Sequence, residues 1–387
     1  MPSEATGPDL AGNGRLRVLQ ISHDYEGPFR SICRQFANAF SGHDVTTVYV
    51  CGKADAEVEA NSASDRVIFL EQSNRAMRGI KLGTLFRIAA LFRKQHFDIV
   101  IAHRYRPIYF AGVMSYFFRI PVTLAVIHEH NVFRRLSRRL FITFWCPDII
   151  CIGVSDSVSR DIERACGPLL ARGRLYTLPN ALDIAIEKDM LDGPAAREHL
   201  GLPAEGFCFG TVGRLVDKKD YDILLQAFAR YCNDSAPEAM LAIVGGGPEA
   251  LRLQALARDL GIETRVHFTG HVAAAYRYIR AFDVFVMASG AREAFGVVLL
   301  EAMLARLPII SSDAPGPAEV VGDTALLFAS GRADELAGRL VEARGMETAA
   351  LAELANAGHD RLLQNYTLDA FRDRIQALPA IRAVAGE

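Results

Sequence analysis

Two glutamates in the segment SGAREAFGVVLLEAMLARLP, residues 289–308, stand where carboxylates could bind a substrate. Glu293 precedes a helix that the apolar stretch VVLLEAMLA predicts, and Glu301 lies inside that stretch. An ionised carboxylate among packed apolar side chains is costly unless it is paired, so we expect a polar partner for Glu301. Phe295 and Gly296 mark the start of the helix, where free backbone N–H groups and the helix dipole favour an anion.

This arrangement suits a nucleotide-sugar. Glu293 would bind sugar hydroxyls, the amides at the helix start would bind a diphosphate, and Glu301 would bind the ribose diol. Two glutamates eight residues apart also occur on many surface helices, so the spacing alone is weak. The apolar surroundings and the glycine at the helix start strengthen the interpretation.

A second candidate group follows the predicted strand FCFGTVGRL. Arg214 and Lys219 lie in the loop after this strand, and a guanidinium fork with an ammonium charge suits a diphosphate. A solvated basic loop is an equally good interpretation, because lysine and arginine are common on surfaces.

Glycines stand at two further strand-to-helix turns. Gly245 and Gly247 in IVGGGPE would let backbone approach a phosphate or sugar, or would simply permit a tight turn. Their spacing is not G-x-G-x-x-G, which argues against a nicotinamide or flavin site. Gly27, before the first amphipathic helix, could approach the leaving phosphate, and a plain turn explains it equally well.

Two histidines end predicted strands, His103 in DIVIAH and His128 in VTLAVIH. A neutral or protonated imidazole at a strand end can donate to a sugar hydroxyl or to developing charge. His128, Glu129 and His130 are also metal-ligand types, but H-x-H alone lacks the further ligands of a zinc site. A structural histidine satisfied by its neighbours is the third interpretation.

The elements that must position these residues alternate between short buried-type strands and helical patterns, which predicts parallel sheets covered by helices on both faces. A new series begins at FCFGTVGR, so we expect an α/β fold of two Rossmann-like domains whose parallel sheets face a central cleft. The predicted segments are a disordered leader 1–14, a first domain 15–183, a second domain 184–365, and a C-terminal helix 366–387 that packs back on the first domain.

Composition places limits on the setting. The chain has 387 residues, 50% hydrophobic and 23% charged, which is typical of a soluble enzyme. Its seven cysteines are scattered and no secretory signal opens the sequence, so we expect a reduced cytoplasmic setting. No run reaches the length of about 18 apolar residues that a spanning helix needs.

Charge is divided unevenly along the chain. Residues 1–180 carry 23 Lys and Arg against 16 Asp and Glu, whereas residues 181–387 carry 20 against 29. In the first half, Arg134, Arg135, Arg138 and Arg139 are interleaved with aromatic residues, the composition of an interfacial membrane anchor. A solvated helix face over a core is the favoured alternative, and nucleic-acid binding is a weaker one because no known module accompanies the charge.

Several segments in this order resemble the retaining glycosyltransferases of the GT-B fold, specifically the large family four. The resemblance is strongest over residues 205–330 and continues more weakly over 15–183. It rests on GRLVDKK, IVGGGPE, HFTGHV, EAFGVVLLEAM, LPNALD, VSDSV, DIVIAH and VIHEHN. Departures from the family pattern, Ala181, Ala288 and Arg306 among them, concern the donor-sugar pocket and the acceptor side more than the reaction class.

The resemblance implies roles for individual residues. Arg214 and Lys219 would bind the donor diphosphate, Glu293 the transferred sugar and Glu301 the ribose, with His128 beside the reacting sugar. The strand after Gly270 would pass near the base. The full set of predicted donor contacts is Gly27, Arg214, Lys219, Gly245, Gly247, Val272, Phe295, Gly296, Val297 and Glu301.

We therefore expect a retaining glycosyltransferase that uses a UDP- or GDP-sugar donor, a saccharide or lipid-linked acceptor, no metal and no other cofactor. Cell-surface polysaccharide or lipopolysaccharide synthesis is the expected setting, with peripheral attachment to the inner face of the cytoplasmic membrane as a further hypothesis. The alternatives are a non-catalytic nucleotide-sugar sensor or scaffold on the same fold, and a nucleotide-sugar epimerase.

Overall fold

The computed structural model of the protein describes residues 14–73, 82–167, 170, 173–235 and 238–386. These residues form two compact units. The first holds the chain up to Pro179 and again from Leu368 onward, and the second holds Asn180–Thr367. Of the predicted leader 1–14, only Gly14 lies among the described residues.

The first unit is built on a parallel sheet. Its strands are β1 Arg17–Ser22, β2 Asp44–Cys51, β3 Arg66–Gln72, β4 Ile99–His103, β5 Val122–Ile127, β6 Ile150–Gly153 and β7 Leu175–Thr177. They lie in the order β3-β2-β1-β4-β5-β6-β7. The inner strands are buried on both faces and the two edge strands are not, which is why the inner strands read as continuous apolar runs.

Helices connect these strands. They are α1 Phe29–Ala39, α2 Ala56–Ala60, α3 Leu82–Lys94, α4 Tyr105–Phe117, α5 Leu136–Leu140 and α6 Asp156–Cys166. The amphipathic helix expected after Gly27 is α1, whose buried face includes Phe29, Ile32, Cys33 and Phe36.

The second unit repeats the pattern. Its strands are β8 Phe207–Val212, β9 Ala239–Val244, β10 Val266–Gly270, β11 Val284–Met287, β12 Ile309–Ser312 and β13 Leu326–Phe328. They form a parallel sheet in the order β10-β9-β8-β11-β12-β13. Its helices are α7 Gly193–Leu200, α8 Tyr221–Ser235, α9 Ala250–Asp259, α10 Val297–Leu304, α11 Pro315–Val321, α12 Ala333–Gly345 and α13 Thr348–Asn365. The prediction of two doubly wound parallel sheets is confirmed.

The last helices, α14 Leu368–Gln376 and α15 Pro379–Ala385, belong to the first unit. The ring of Phe371 in α14 packs edge-on against Phe36 of α1, with 4.9 Å between ring centroids. Nε2 of Gln376 donates to the carbonyl of Ala39 over 3.3 Å. The first unit is thus assembled from two separate stretches of the chain.

The segment rich in arginine and aromatic residues is helical but irregular. A 3-10 turn at Val132–Arg134 is followed by α5 and then by a π-helix at Phe141–Trp145. Phe144 and Trp145 are 63% and 62% exposed, so the segment does not simply cover a core. In the described part of the chain, no helix combines the length and apolar character needed to cross a membrane.

Candidate functional site

The strand order of the second unit determines where a ligand would meet it. β8 lies between β9 and β11, so the direction of the chain along the sheet reverses there. In open parallel α/β sheets, ligands bind outside the carboxyl ends of the strands at such a switch point. Arg214 and Lys219 follow β8, and Glu293 follows β11. The topology therefore brings predicted site residues from distant parts of the sequence to one edge of the sheet.

An ion pair joins the two loops at this edge. Nζ of Lys219 lies 2.7 Å from Oε2 of Glu293, and the two side chains are only 16% and 11% exposed. Burial alone raises the pKa of Glu293, but the charges of Lys219 and Lys218, with hydrogen bonds from Lys219 and the backbone N–H of Phe295, hold that pKa below its ordinary value. Glu293 is therefore an anion at neutral pH with a cation held against it.

Helix α10 begins directly behind this pair. Gly296 caps it with φ 91° and ψ 63°, a left-handed conformation. The left-handed conformation is what favours glycine here, because the nearest atom to an added Cβ would be Cε of Met287 in β11, at 2.8 Å, and the end of that flexible side chain can move aside. Val297 is the first helical residue, and the backbone N–H of Phe295 bonds Glu293.

Glu301 lies one turn into α10 and is half-buried. Burial raises its pKa to about 7, and the charge of Lys219 offsets only part of this rise. The sequence predicted a polar partner for Glu301. Among the described residues, none forms a hydrogen bond with its carboxylate. The charge of Lys219, which lowers the pKa of Glu301, is the polar influence that the structure provides.

The glycine loop supports the loop that carries Arg214. A Cβ at Gly245 would lie 1.9 Å from the carbonyl oxygen of Gly213, and one at Gly247 would lie 2.2 Å from that of Leu215. These glycines are therefore required for close packing of one backbone segment on another. Their contact with a donor stays a prediction, as does that of Arg214, whose side chain is exposed.

One expectation for this unit is wrong. No strand continues after Gly270, because β10 ends there, where φ of 72° turns the chain out of the sheet. Val272 lies in the following loop and packs, half-buried, against the core of the second unit. Its contact with a base stays a prediction.

In the first unit, β1 and β4 mark the corresponding switch point. Nε2 of His103, at the end of β4, lies 2.8 Å from Oε1 of Gln20 in β1. Nδ1 of His103 lies 3.1 Å from Nε2 of His128, which follows β5. Burial lowers the pKa of His103 to about 3, and burial, together with the neighbouring His103 ring and the charge of Arg104, lowers that of His128 well below its ordinary value. Both rings are therefore neutral at pH 7.

Gly27 lies in an exposed turn before α1, with φ of 58°. The turn by itself accounts for a glycine here, since left-handed backbone is costly for other residues. The ring of Phe29, two residues later, meets the ring of His128 edge-on at 5.2 Å.

The metal interpretation of His128, Glu129 and His130 gains no support from the geometry. Across the described ranges, no three or more His, Cys, Asp or Glu side chains are grouped so that they could hold a metal ion. His130 instead places Nε2 3.1 Å from the hydroxyl of Ser157.

Sequence reasoning missed two residues beside these sites. Gln20 is 1% exposed within β1, and the signal was available as a single amide in the apolar run LRVLQIS. Tyr221 is buried beneath the loop of Arg214, hydrogen-bonded to Thr211 and close enough to Glu293 for that charge to raise its pKa further after burial. It is the first residue of α8, and the sequence gave no signal of these contacts.

Comparison with known proteins supplies the family. The model described as "Glycosyltransferase Family 4" matches residues 29–186, and the model described as "Glycosyl transferases group 1" matches residues 192–353. The lipopolysaccharide core biosynthesis glycosyltransferase LpsE of Rhizobium meliloti is 32% identical over 179 residues, which cover 46% of this chain and 51% of LpsE. The chain thus spans about half the length of this relative.

Solved structures share the fold over nearly the whole chain. A glycosyltransferase from Rickettsia africae superposes with a TM-score of 0.82 at 15% identity, covering 96% of this chain and 98% of that one. Anabaena HepE, solved in complex with UDP and glucose, gives 0.77 at 19% identity, with 93% and 98% covered. Each unit is matched by one of these two models, and the chain belongs to the glycosyltransferases that they describe, Glycosyltransferase Family 4 and Glycosyl transferases group 1.

Proposed function

We propose that this protein transfers a sugar from a nucleoside-diphosphate donor to a saccharide or lipid-linked acceptor, with retention at the anomeric carbon. Synthesis of lipopolysaccharide or another cell-surface polysaccharide is the proposed setting, supported by the similarity to LpsE. The single observation that carries the proposal is the buried pair of Lys219 and Glu293 at the switch point of the second sheet.

The donor diphosphate is proposed to bind at this edge through Lys219, Arg214 and the amides of Gly296 and Val297. A diphosphate that arrives there competes with Glu293 for the ammonium of Lys219, and Glu293 is then available to accept hydrogen bonds from sugar hydroxyls. Glu301, whose pKa burial raises to about 7, is proposed to bind the ribose diol. UDP is the favoured nucleotide because HepE was solved with UDP, and GDP is the alternative.

The proposed step proceeds on one face of the sugar. The bond from the anomeric carbon to the leaving phosphate oxygen breaks, the bond to the acceptor oxygen forms, and the acceptor proton passes to the leaving phosphate oxygen. Glu293 and Glu301 act as binders and not as the nucleophile and acid pair of a glycosidase. The chain's task is to fix geometry and to stabilise negative charge on the diphosphate with cationic side chains and amides.

A screen of UDP, GDP and their sugars by thermal shift tests donor binding, because a ligand that binds only the folded protein raises its stability. Turnover with the donor so identified then tests transfer. We expect Lys219→Ala and Glu293→Ala to lower turnover by about a hundredfold or more. Lys188→Ala is the matched control, since Lys188 is an exposed lysine of the second unit that does not act on Glu293. Near-normal turnover of both variants would show that the site is misplaced.

Product analysis separates the alternatives. A sensor or scaffold would bind donor and never consume it in the presence of a broad acceptor extract. An epimerase would convert the donor sugar without any acceptor.

We also propose that the first unit attaches to an anionic membrane surface. Beyond Phe144 and Trp145, Tyr116 and Phe117 at the end of α4 are 68% and 75% exposed. The rings of Tyr116 and Trp145 lie 6.3 Å apart, which makes the exposed apolar area continuous. Arg134 and Arg135 are exposed on the same segment, and apolar side chains beside arginines suit the headgroup boundary of a bilayer.

Flotation with liposomes that contain anionic lipid tests this attachment. The combined variant Phe117→Ser and Trp145→Ser is expected to lower the bound fraction several-fold. Leu251→Ser is the matched control, because Leu251 is 81% exposed on the second unit, far along the sequence from this surface. Failure of the unaltered protein to float at low salt would count decisively against attachment.

A further inference from the structure

A hydrogen-bonded row is formed by Gln20, His103 and His128. Which atom donates in each of its contacts follows from which atoms carry hydrogens. Nε2 of Gln20 donates to the carbonyl of Cys33 over 3.1 Å and lies 2.9 Å from the hydroxyl of Thr47. A carbonyl can only accept, so the amide nitrogen faces Cys33 and the amide oxygen faces His103.

The remaining hydrogens follow from this orientation. Because Oε1 of Gln20 only accepts, the hydrogen in its 2.8 Å contact with His103 is on Nε2 of that ring. A neutral imidazole carries one N–H, so Nδ1 of His103 is an acceptor. The hydrogen in its 3.1 Å contact with His128 therefore comes from Nε2 of His128.

His128 is left with one bare nitrogen. Its Nδ1 is buried and has no hydrogen-bond partner among the residues that the structure describes. The ring is neutral because burial, His103 and Arg104 all lower its pKa, so no second hydrogen is added at pH 7. Nδ1 therefore presents a lone pair.

We propose that Gln20 and His103 are positioning residues that hold His128 in its Nε2–H form and so make Nδ1 a hydrogen-bond acceptor. This rests on the proposed function, under which the group that meets Nδ1 is a saccharide hydroxyl. A hydroxyl can donate to this lone pair, whereas an ionised phosphate oxygen has no hydrogen to give. Nδ1 is buried, so binding of the hydroxyl there requires a neighbouring side chain to move. The sequence suggested that this imidazole donates to a sugar hydroxyl or to developing charge, whereas under this proposal it accepts.

Nitrogen-15 NMR of the protein labelled at histidine tests the assignment without any substrate. The unaltered protein is expected to show His128 at pH 7 as a neutral ring with its hydrogen on Nε2, assigned by the signals that disappear in His128→Gln. The spectrum contains its own references. His359 faces the carbonyl of Met303 through Nδ1, and His267 faces that of Leu200 through Nε2, so these two rings carry their hydrogens on opposite nitrogens. A hydrogen on Nδ1 of His128, or a charged ring, would overturn the proposal.

Gln20→Met tests what holds the ring in this form. Without the amide oxygen, either nitrogen of His103 can carry the hydrogen, so we expect the His128 signals to show a mixture of both forms. We expect transfer to fall by about tenfold in kcat/KM, the scale of one hydrogen bond, while stabilisation by nucleotide stays unchanged. Gln35→Met is the matched control, because Gln35 is also buried in the first unit.

The outcomes separate the two proposals. An unchanged His128 spectrum in Gln20→Met would overturn the role of Gln20 even if activity fell. If Gln20→Met does not fold, the spectrum of the unaltered protein still decides the form of His128. If no donor and acceptor pair gives transfer, the proposed function fails, and the NMR result stands independently.

Discussion

At the scale of single residues, two carboxylates near one lysine differ in protonation because their contacts differ. Glu293 meets Lys219 at 2.7 Å and its pKa lies below the ordinary value. Glu301 lies deeper in α10 without such a contact, and burial raises its pKa to about 7. The sequence predicted the pair of carboxylates but not this division, because it depends on a distance between loops that follow different strands.

Glu301 makes the stability of the protein depend on pH in a predictable direction. The folded state holds the proton of Glu301 up to a pKa of about 7, whereas an unfolded glutamate releases it near pH ~4.3. The contribution of Glu301 to the free energy of unfolding is therefore at its maximum below pH ~4.3 and is lost as pH rises to about 7. Relative to Glu301→Gln, the free energy of unfolding of the unaltered protein should fall as pH rises across this window. The limiting slope is about 1.4 kcal/mol per pH unit, and the observed slope should be smaller because Glu301 is only half-buried.

Urea unfolding of both proteins between pH 4 and 8 measures the difference. The exposed Glu263→Gln provides the control for loss of a carboxylate as such. A difference in unfolding free energy that is flat across the window, or that has the opposite slope, would contradict the assignment.

At the scale of elements, the alternation of apolar runs and helical patterns was enough to predict both sheets. Strands such as β4 and β5 are buried along their whole length, so their sequences carry the signal directly. The strand predicted to continue after Gly270 does not do so, because the chain turns out of the sheet at the positive φ of Gly270. The apolar pattern of the sequence does not report such a backbone conformation. The partnership of Gln20 with His103 could not be predicted either, since β1 and β4 become neighbours only through the strand order.

The glycine loop beside Arg214 gives a prediction at this scale. Gly245→Ala should destabilise the second unit by about 2 kcal/mol or more, because its Cβ would lie 1.9 Å from a backbone oxygen that cannot move aside like a side chain. Gly338→Ala in α12 is the matched control. Nothing lies within 4 Å of its Cβ, and alanine in a helix is favoured by up to about 1 kcal/mol. The midpoint temperature of thermal unfolding should fall in Gly245→Ala and rise in Gly338→Ala. A shift of both temperatures in the same direction would contradict the prediction.

At the scale of the whole molecule, the second unit is inserted into the first, since the chain leaves the first unit after Pro179 and returns at Leu368. The returning α14 packs Phe371 on Phe36, and Phe36 in turn lies 4.8 Å from the ring of His103. The end of the chain therefore supports the helix that packs against the histidine row.

Removal of the residues after Thr367 should accordingly loosen the first unit and leave the second intact. We expect faster hydrogen exchange in α1 and β5, which α14 and α15 cover, and unchanged exchange in β8 and β9. A chain that ends after Leu378 is the control, because it keeps α14 and its contact with Phe36. Equal loss of protection in both units after the longer truncation would show that the stabilities of the two units cannot be separated in this way.

The inserted arrangement also bears on how the protein is made. The ribosome synthesises the chain from its N-terminus. Because the second unit is one uninterrupted stretch, it can complete its core as soon as its own last helix has emerged. The first unit, although synthesised earlier, waits for the final segment before Phe36 gains its aromatic neighbour. We therefore expect a stage in synthesis at which the second unit can be complete while the first unit still lacks α14, and at that stage the first unit should be the more accessible of the two to chaperones and proteases.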